Sequence, residues 1–155
     1  MTVKTRFGAL MNVALVGAAV SAVLAAVPAH AAGQQYTLQN VESGRCLVGN
    51  SDRTVRQGNC DSRAKWEPAE GDGILKNVAT GMCLDWNHDM IGSSPYLSPC
   101  TTEDYGQNMG FIPVGGNRVK IRPVDGLLNL TGWNTGEVSF NYRADDPEKQ
   151  LWATI

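Results

Sequence analysis

A chain of 155 residues, 43% hydrophobic and 18% charged, has the length of one domain rather than two of ordinary size. Its 13 Lys and Arg against 15 Asp and Glu give a net charge of −2. That balance lacks the basic excess that nucleic acid or an anionic membrane surface demands.

The first element is a segment to be removed. Lys4 and Arg6 form a basic start, residues 9–27 are almost wholly apolar, and Ala29-His30-Ala31 supplies the small-x-small site that signal peptidase reads. Asn12 and Ser21 interrupt the apolar run, which is near the minimum for spanning a bilayer. Residues 1–31 therefore read as a cleaved secretory signal. The remaining chain, 32–155, carries a net charge of −4 and no second hydrophobic segment, so it is expected outside the cell and off the membrane. All four cysteines, Cys46, Cys60, Cys83 and Cys100, lie in this part, and an even count in a small exported domain reads as disulfides. A zinc site is disfavoured by the lack of a C-x-x-C pair and by a single histidine, His88, after the signal; no metal or other cofactor is expected. His88 and Asp89 read as exposed loop residues.

From Tyr36 onward the chain repeats itself. Tyr36-Thr-Leu-Gln-Asn40-Val41 leads into Gly44-Arg-Cys46-Leu47, and Ile74-Leu-Lys-Asn77-Val78 leads into Gly81-Met-Cys83-Leu84. A weaker third version is Val119-Lys-Ile121-Arg-Pro123-Val124 followed by Gly126-Leu127-Leu128-Asn129-Leu130. Alternation of apolar and polar residues marks strands, and no stretch shows a sustained helical period. The endings also recur: Ala64-Lys65-Trp66, Gln107-Asn108-Met109 and Gln150-Leu151-Trp152, each 43 residues from the next. Three units follow, about 36–73, 74–117 and 118–155. None has enough apolar surface to bury alone, whereas three around an axis share a core. Within this register the first cysteine of a unit pairs with its second, Cys46 with Cys60 and Cys83 with Cys100. Leu127 and Tyr142 take the two cysteine places in the third unit, 15 apart against 14 and 17.

Strand-Gly-x-Cys-Leu-Asp, a second Cys and a closing Gln-x-Trp, three times over, resemble the ricin B-type β-trefoil lectins over roughly 36–155. The Gln-x-Trp is complete in the third unit alone. The resemblance implies an all-β trefoil, a six-stranded barrel capped by three hairpins, with one potential sugar site per unit. An Asp after Cys-Leu would accept hydroxyl hydrogen bonds, an aromatic near the second Cys would support the sugar ring, and a polar residue near Gln-x-Trp would close the pocket. A carboxylate offers two acceptor oxygens, and an aromatic face suits the C–H face of a pyranose.

The second unit fits best, with Asp85, Asn87, Tyr96, Tyr105 and Gln107 as the candidate site. It departs from the pattern at Ser98, where plant members carry the aromatic, and in a longer loop at 90–95. The third unit is a weaker candidate built on Asn129, Trp133 and Phe140. A one-residue slip would put Leu130 in the Asp place, and the alternation Val138, Phe140, Tyr142 also makes Phe140 a core candidate. The first unit looks silent, with Val48 for the Asp and Gly58 for the aromatic. Trp66 and Trp152 are expected in the core. Asn129-Leu-Thr131 matches a glycosylation sequon, a pattern short enough to arise by chance.

The reading is a secreted, non-catalytic carbohydrate-binding lectin whose partner is a glycan or polysaccharide. The rival is a degenerate trefoil that binds protein, or inhibits it, without binding sugar. No Ser-His-Asp, Cys-His or phosphate-loop arrangement points to an enzyme. Nothing in the sequence specifies an oligomer.

Overall fold

A computed structural model describes residues 34–69, 73–87, 90–124 and 126–155. The signal segment 1–31 and the residues His88 and Asp89 lie outside them. Each unit contributes four short strands. The first holds β1 (Tyr36–Asn40), β2 (Cys46–Gly49), β3 (Val55–Gly58) and β4 (Lys65–Pro68). The second holds β5 (Leu75–Asn77), β6 (Cys83–Asp85), β7 (Tyr96–Ser98) and β8 (Met109–Gly115). The third holds β9 (Arg118–Pro123), β10 (Asn129–Gly132), β11 (Val138–Asn141) and β12 (Trp152–Thr154).

First and fourth strands build a six-stranded barrel, paired in the order β5-β4-β1-β12-β9-β8. The β8–β5 seam closes through the Met109 N–H, which donates to the Gly73 carbonyl at 3.1 Å. Gly73 has φ +81°, and a Cβ there would overlap the Met109 backbone, so this seam admits only glycine. Second and third strands form the three hairpins, β2–β3, β6–β7 and β10–β11. Backbone bonds tie the hairpins to one another: Leu97 N–H to Arg53 O, Gln57 N–H to Gly136 O and Phe140 N–H to Ser93 O. The architecture is the all-β trefoil.

The core follows the threefold pattern residue by residue. Leu38, Leu75 and Ile121 are fully buried at one level, Leu47, Leu84 and Leu130 at the next, and Trp66, Met109 and Trp152 at the barrel base. The Trp66 indole donates to the Leu47 carbonyl and the Trp152 indole to the Leu130 carbonyl, both at 2.9 Å. Both tryptophans are core, as expected. An Asp-capped 3-10 turn precedes each base residue, with Asp61, Asp104 and Asp146 accepting from the backbone N–H two residues on.

The disulfides are Cys46–Cys60 and Cys83–Cys100, the pairing expected from the repeat. Each is expected to contribute about 3 kcal/mol by loop closure.

The third-unit register differs from the sequence expectation. Leu127 and Tyr142 are 71% and 54% exposed, and they do not form an apolar pair in place of a disulfide. Gly58 pairs with Cys46, Ser98 with Cys83 and Asn141 with Asn129. Asn129 therefore occupies the first cysteine place, Thr131 the Asp place and Arg143 the second cysteine place. The reason lies in a missing marker and a long-range contact. With no cysteine to mark the frame, the Leu-Leu-Asn-Leu run offers several alignments, and the Trp152 hydrogen bond to Leu130 selects one.

Trp152→Ala should lower unfolding stability by about 3–5 kcal/mol, since it empties the barrel base and strands the Leu130 carbonyl. Urea unfolding followed by circular dichroism measures it, and a loss below about 1 kcal/mol would show that the base is not a shared core.

Candidate functional site

The β6–β7 hairpin pairs Asp85 with Tyr96 and Cys83 with Ser98, which puts all four side chains on one face and sends Leu84 and Leu97 to the core. On that face the Asp85 carboxylate collects donors. Oδ1 accepts the Trp86 N–H at 2.6 Å and Oδ2 accepts the Ser98 hydroxyl at 2.5 Å. The Tyr96 hydroxyl also bonds the carboxylate. Ser98 is held in turn by Gln107, whose Nε2 donates to Ser98 Oγ at 2.7 Å and to the Pro99 carbonyl at 2.9 Å. Gln107 Oε1 accepts the Thr101 N–H at 3.0 Å. The chain Gln107–Ser98–Asp85–Tyr96 thus runs from the buried base to the surface.

Gly106 makes this packing possible. Its carbonyl accepts the Trp86 N–H at 3.1 Å, and a Cβ on it would overlap Asp85 Oδ1 and the Trp86 carbonyl oxygen. Trp86 is 5% exposed, donates from Nε1 to Ser93 Oγ at 2.6 Å and tilts against Phe140 with ring centroids 5.2 Å apart. A cleft of about 470 Å³ opens over this group, lined among others by Trp86, Asn87, Tyr96, Glu103, Asp104 and Tyr105. Tyr105 is 73% exposed and Tyr96 41%, so both present aromatic surface to a ligand.

The electrostatics are one-sided. Burial pushes the Asp85 carboxyl above its ordinary value of 3.8, the Ser98 hydrogen bond opposes this, and nearby Asp104 adds to it. The Tyr96 phenol is raised as well, first by burial and then by the Asp85 charge. Glu103 and Asp104 line the cleft, and among the described residues no Lys or Arg does. Such a surface takes hydrogen-bond donors and repels anions. Among the described residues no group of three or more His, Cys, Asp or Glu is arranged to hold a metal ion.

The other units fill the equivalent places differently. In the first, Val48, Gly58 and Ala64 stand in the places of Asp85, Ser98 and Gln107, and Val48 is 3% exposed within a small apolar cluster with Cys46 and Ala64. In the third, the same places hold Thr131, Asn141 and Gln150. Gln150 Nε2 donates to Thr131 Oγ1 at 3.0 Å and to the Asn141 carbonyl at 3.1 Å. No carboxylate takes part in that network, which ends through Asn129 on the Arg122 guanidinium.

Of the expected residues, Asn87, Tyr96 and Tyr105 line one cleft, and Asp85 pairs across the hairpin with Tyr96 and bonds its hydroxyl. Asp85 itself is only 2% exposed. Gln107 is fully buried with its amide fully engaged, so it positions the site rather than lining it. The weaker second site does not assemble. Asn129 is buried, bonded to Arg122 and Gln150. Phe140 is fully buried, in the core place that Leu97 occupies in the second unit. The Trp133 ring is covered by Lys149, whose Nζ stands 5.6 Å from its centroid. The register slip explains these misplacements. The structure also brings Asp104, Ser98, Trp86 and Gly106 to this group, which sequence reading did not place there; Asp104-Tyr-Gly is a visible turn signal, but its closeness to Asp85 is not visible in the sequence.

Comparison with known proteins agrees with the fold. The model of a family described as "Ricin-type beta-trefoil lectin domain-like" matches residues 24–94. No curated protein matches the chain. Among solved structures, a designed threefold-symmetric protein, ThreeFoil, is similar with a TM-score of 0.67 and 17% identity, over 78% of this chain and 97% of that one. A ricin B-like lectin from Macrolepiota procera, solved in complex with lactose, is similar with a TM-score of 0.64 and 15% identity, over 79% of this chain and 95% of that one. An endo-β-galactosidase from Clostridium perfringens that releases GlcNAcα1-4Gal is similar with a TM-score of 0.65 and 18% identity; the match covers 78% of this chain and 32% of the enzyme. This chain has the β-trefoil fold, and its residues 24–94 are similar to a ricin-type β-trefoil lectin domain.

Because the folded protein holds the Asp85 proton more tightly than the unfolded chain does, the ionised carboxyl is a cost to stability. That cost grows as pH rises from about 3.8 through the raised value. Asp85→Asn should therefore melt at or above the wild-type temperature at pH 7, and this advantage should shrink as pH falls through the raised value and be gone below about 3.8. Differential scanning calorimetry across pH 3–7 tests it; an Asn variant markedly less stable at pH 7 would mark the carboxylate as a structural cap.

Proposed function

We propose that the protein is an exported, non-catalytic lectin that binds a neutral sugar in the cleft of the second unit, after removal of residues 1–31. The observation that carries this reading is the buried carboxylate at Asp85. The fold retains it in one unit of three, fixed by Trp86, Ser98 and Tyr96, beneath a cleft walled by tyrosines. A buried charge that serves no packing need is a functional expense. In this reading sugar hydroxyls donate to Asp104 and Asn87 at the rim and to the Tyr96–Asp85 pair at the floor. The pyranose C–H face rests on Tyr105. The carboxylates leave little room for an anionic sugar at this cleft.

The similar structures suggest where a screen should begin. One was solved with lactose, one releases GlcNAcα1-4Gal, and a third, an exo-β-1,3-galactanase from Clostridium thermocellum, is similar with a TM-score of 0.64 and 18% identity over 79% of this chain and 30% of its own. Galactose-bearing ligands come first, then mannose, xylan and chitin fragments. The chain spans about a third of each enzyme, so their catalytic activity is not carried across, and no release of reducing sugar is expected.

Asp85→Val writes the first unit's residue into the second. It should weaken binding of the best ligand by about ten- to a hundredfold while leaving the fold intact, because Val48 already fills the matching place. Titration calorimetry reads the affinity. Full affinity in the variant would take the site away from this cleft. A screen that returns no glycan at all would favour the rival protein-binding module, which the silent first and third units also suit.

A further inference from the structure

The three hairpins meet around the threefold axis and leave a second cleft of about 350 Å³ there, within the size range of small-ligand sites. Every unit contributes to it: Arg53 and Arg56 from the first, Ser94 and Tyr96 from the second, Glu137 from the third. Tyr96 lines this cleft and the second-unit cleft alike, so the two adjoin across one residue. In the hairpin register Arg56 stands in the first unit where Tyr96 stands in the second and Ser139 in the third. The axial cleft therefore owes its character to the differences between units, not to their symmetry.

Its chemistry complements its neighbour's. The second-unit cleft offers acceptors, whereas the axial cleft adds two exposed guanidiniums, each with several fixed donors, beside the carboxylates of Asp52 and Glu137. The charges balance, so the surface suits hydroxyl groups, which both donate and accept, better than a phosphate or a carboxylate. Arg53 also has φ +68°, a left-handed conformation in which glycine would be relaxed. The chain keeps a long donor side chain at a position whose backbone favours none.

We propose that the axial cleft is a second subsite for the same ligand: the protein binds a neutral oligosaccharide or polysaccharide that runs from the second-unit cleft, past Tyr96, to Arg53 and Arg56. This rests on the reading that the second-unit cleft binds sugar. Joined subsites make affinity depend on chain length, because the second contact is made without a further association cost.

The test is titration calorimetry with ladders of one to five rings of β-1,3-galactose, β-1,4-xylose and β-1,4-N-acetylglucosamine. Affinity should rise at least tenfold from one ring to the longer members of the ladder that binds. Arg53→Gly, which relaxes the backbone, and Arg56→Ala should each remove most of that rise and leave single-ring affinity unchanged, with unaltered melting temperatures as the control for folding. Single-ring binding without a length dependence, or a length dependence that survives both variants, would overturn the subsite while leaving the second-unit cleft in place. With a mannose ladder added, binding to none of the four would overturn both.

Discussion

The side-chain amides of Asn40 and Asn77 join one repeat to the next, and the rest of the structure depends on that join. Asn40 Nδ2 donates to the carbonyls of Lys149 and Leu151, at the end of the third unit, and its Oδ1 accepts from the Ser43 N–H and hydroxyl. Asn77 repeats the pattern with Arg63, Lys65 and Thr80. Each amide satisfies backbone groups from two units at once, in a setting where an unmet polar group costs about 1–3 kcal/mol. The third join has lost the device, because Pro123 stands in the asparagine place. There the Val124 N–H still donates to the Asn108 carbonyl, and the longest hairpin of the fold, β8–β9, supplies the missing cohesion. A ring of three units with no closed apolar core of their own is stable only if all three joins hold.

Once the ring is closed, the barrel and hairpins fix every second-strand residue in an equivalent place, and the units become free to diverge where the core does not reach. The place of Asp85 shows how far. A valine there extends the apolar packing, a threonine accepts from Gln150 without a carboxylate, and an aspartate demands donors on both oxygens. The demand for donors propagates outward. Gln107 holds Ser98, Ser98 holds Asp85, and Gly106 surrenders its side chain so that the turn can lie against the carboxylate. None of these choices is needed for folding, since the first unit folds without any of them.

Divergence between units also creates two clefts that break the threefold pattern. The second-unit cleft and the axial cleft both border Tyr96, whose equivalents are Arg56 and Ser139. A symmetric trefoil would present three copies of one shallow surface. Here one carboxylate-lined cleft and one guanidinium-lined cleft stand side by side on a single face.

The sequence by itself determined the number of units, the disulfide pairing and the core tryptophans. Those features rest on spacing, and the 43-residue period with its cysteines states spacing directly. It also identified Asp85, Tyr96 and Tyr105 as neighbours, because they share a hairpin or flank its end. Tertiary structure decided the rest. The third-unit frame was fixed by the Trp152 indole bonding the Leu130 carbonyl, a contact across 22 residues that no motif encodes, and it moved Asn129 and Phe140 from a candidate site into buried places. Gln107 looked like a ligand group but became a support, since burial and partners, not residue type, separate the two roles. The axial cleft was invisible in the sequence. Its residues come from three units about 40 residues apart, and only closure of the ring brings Arg53, Tyr96 and Glu137 together.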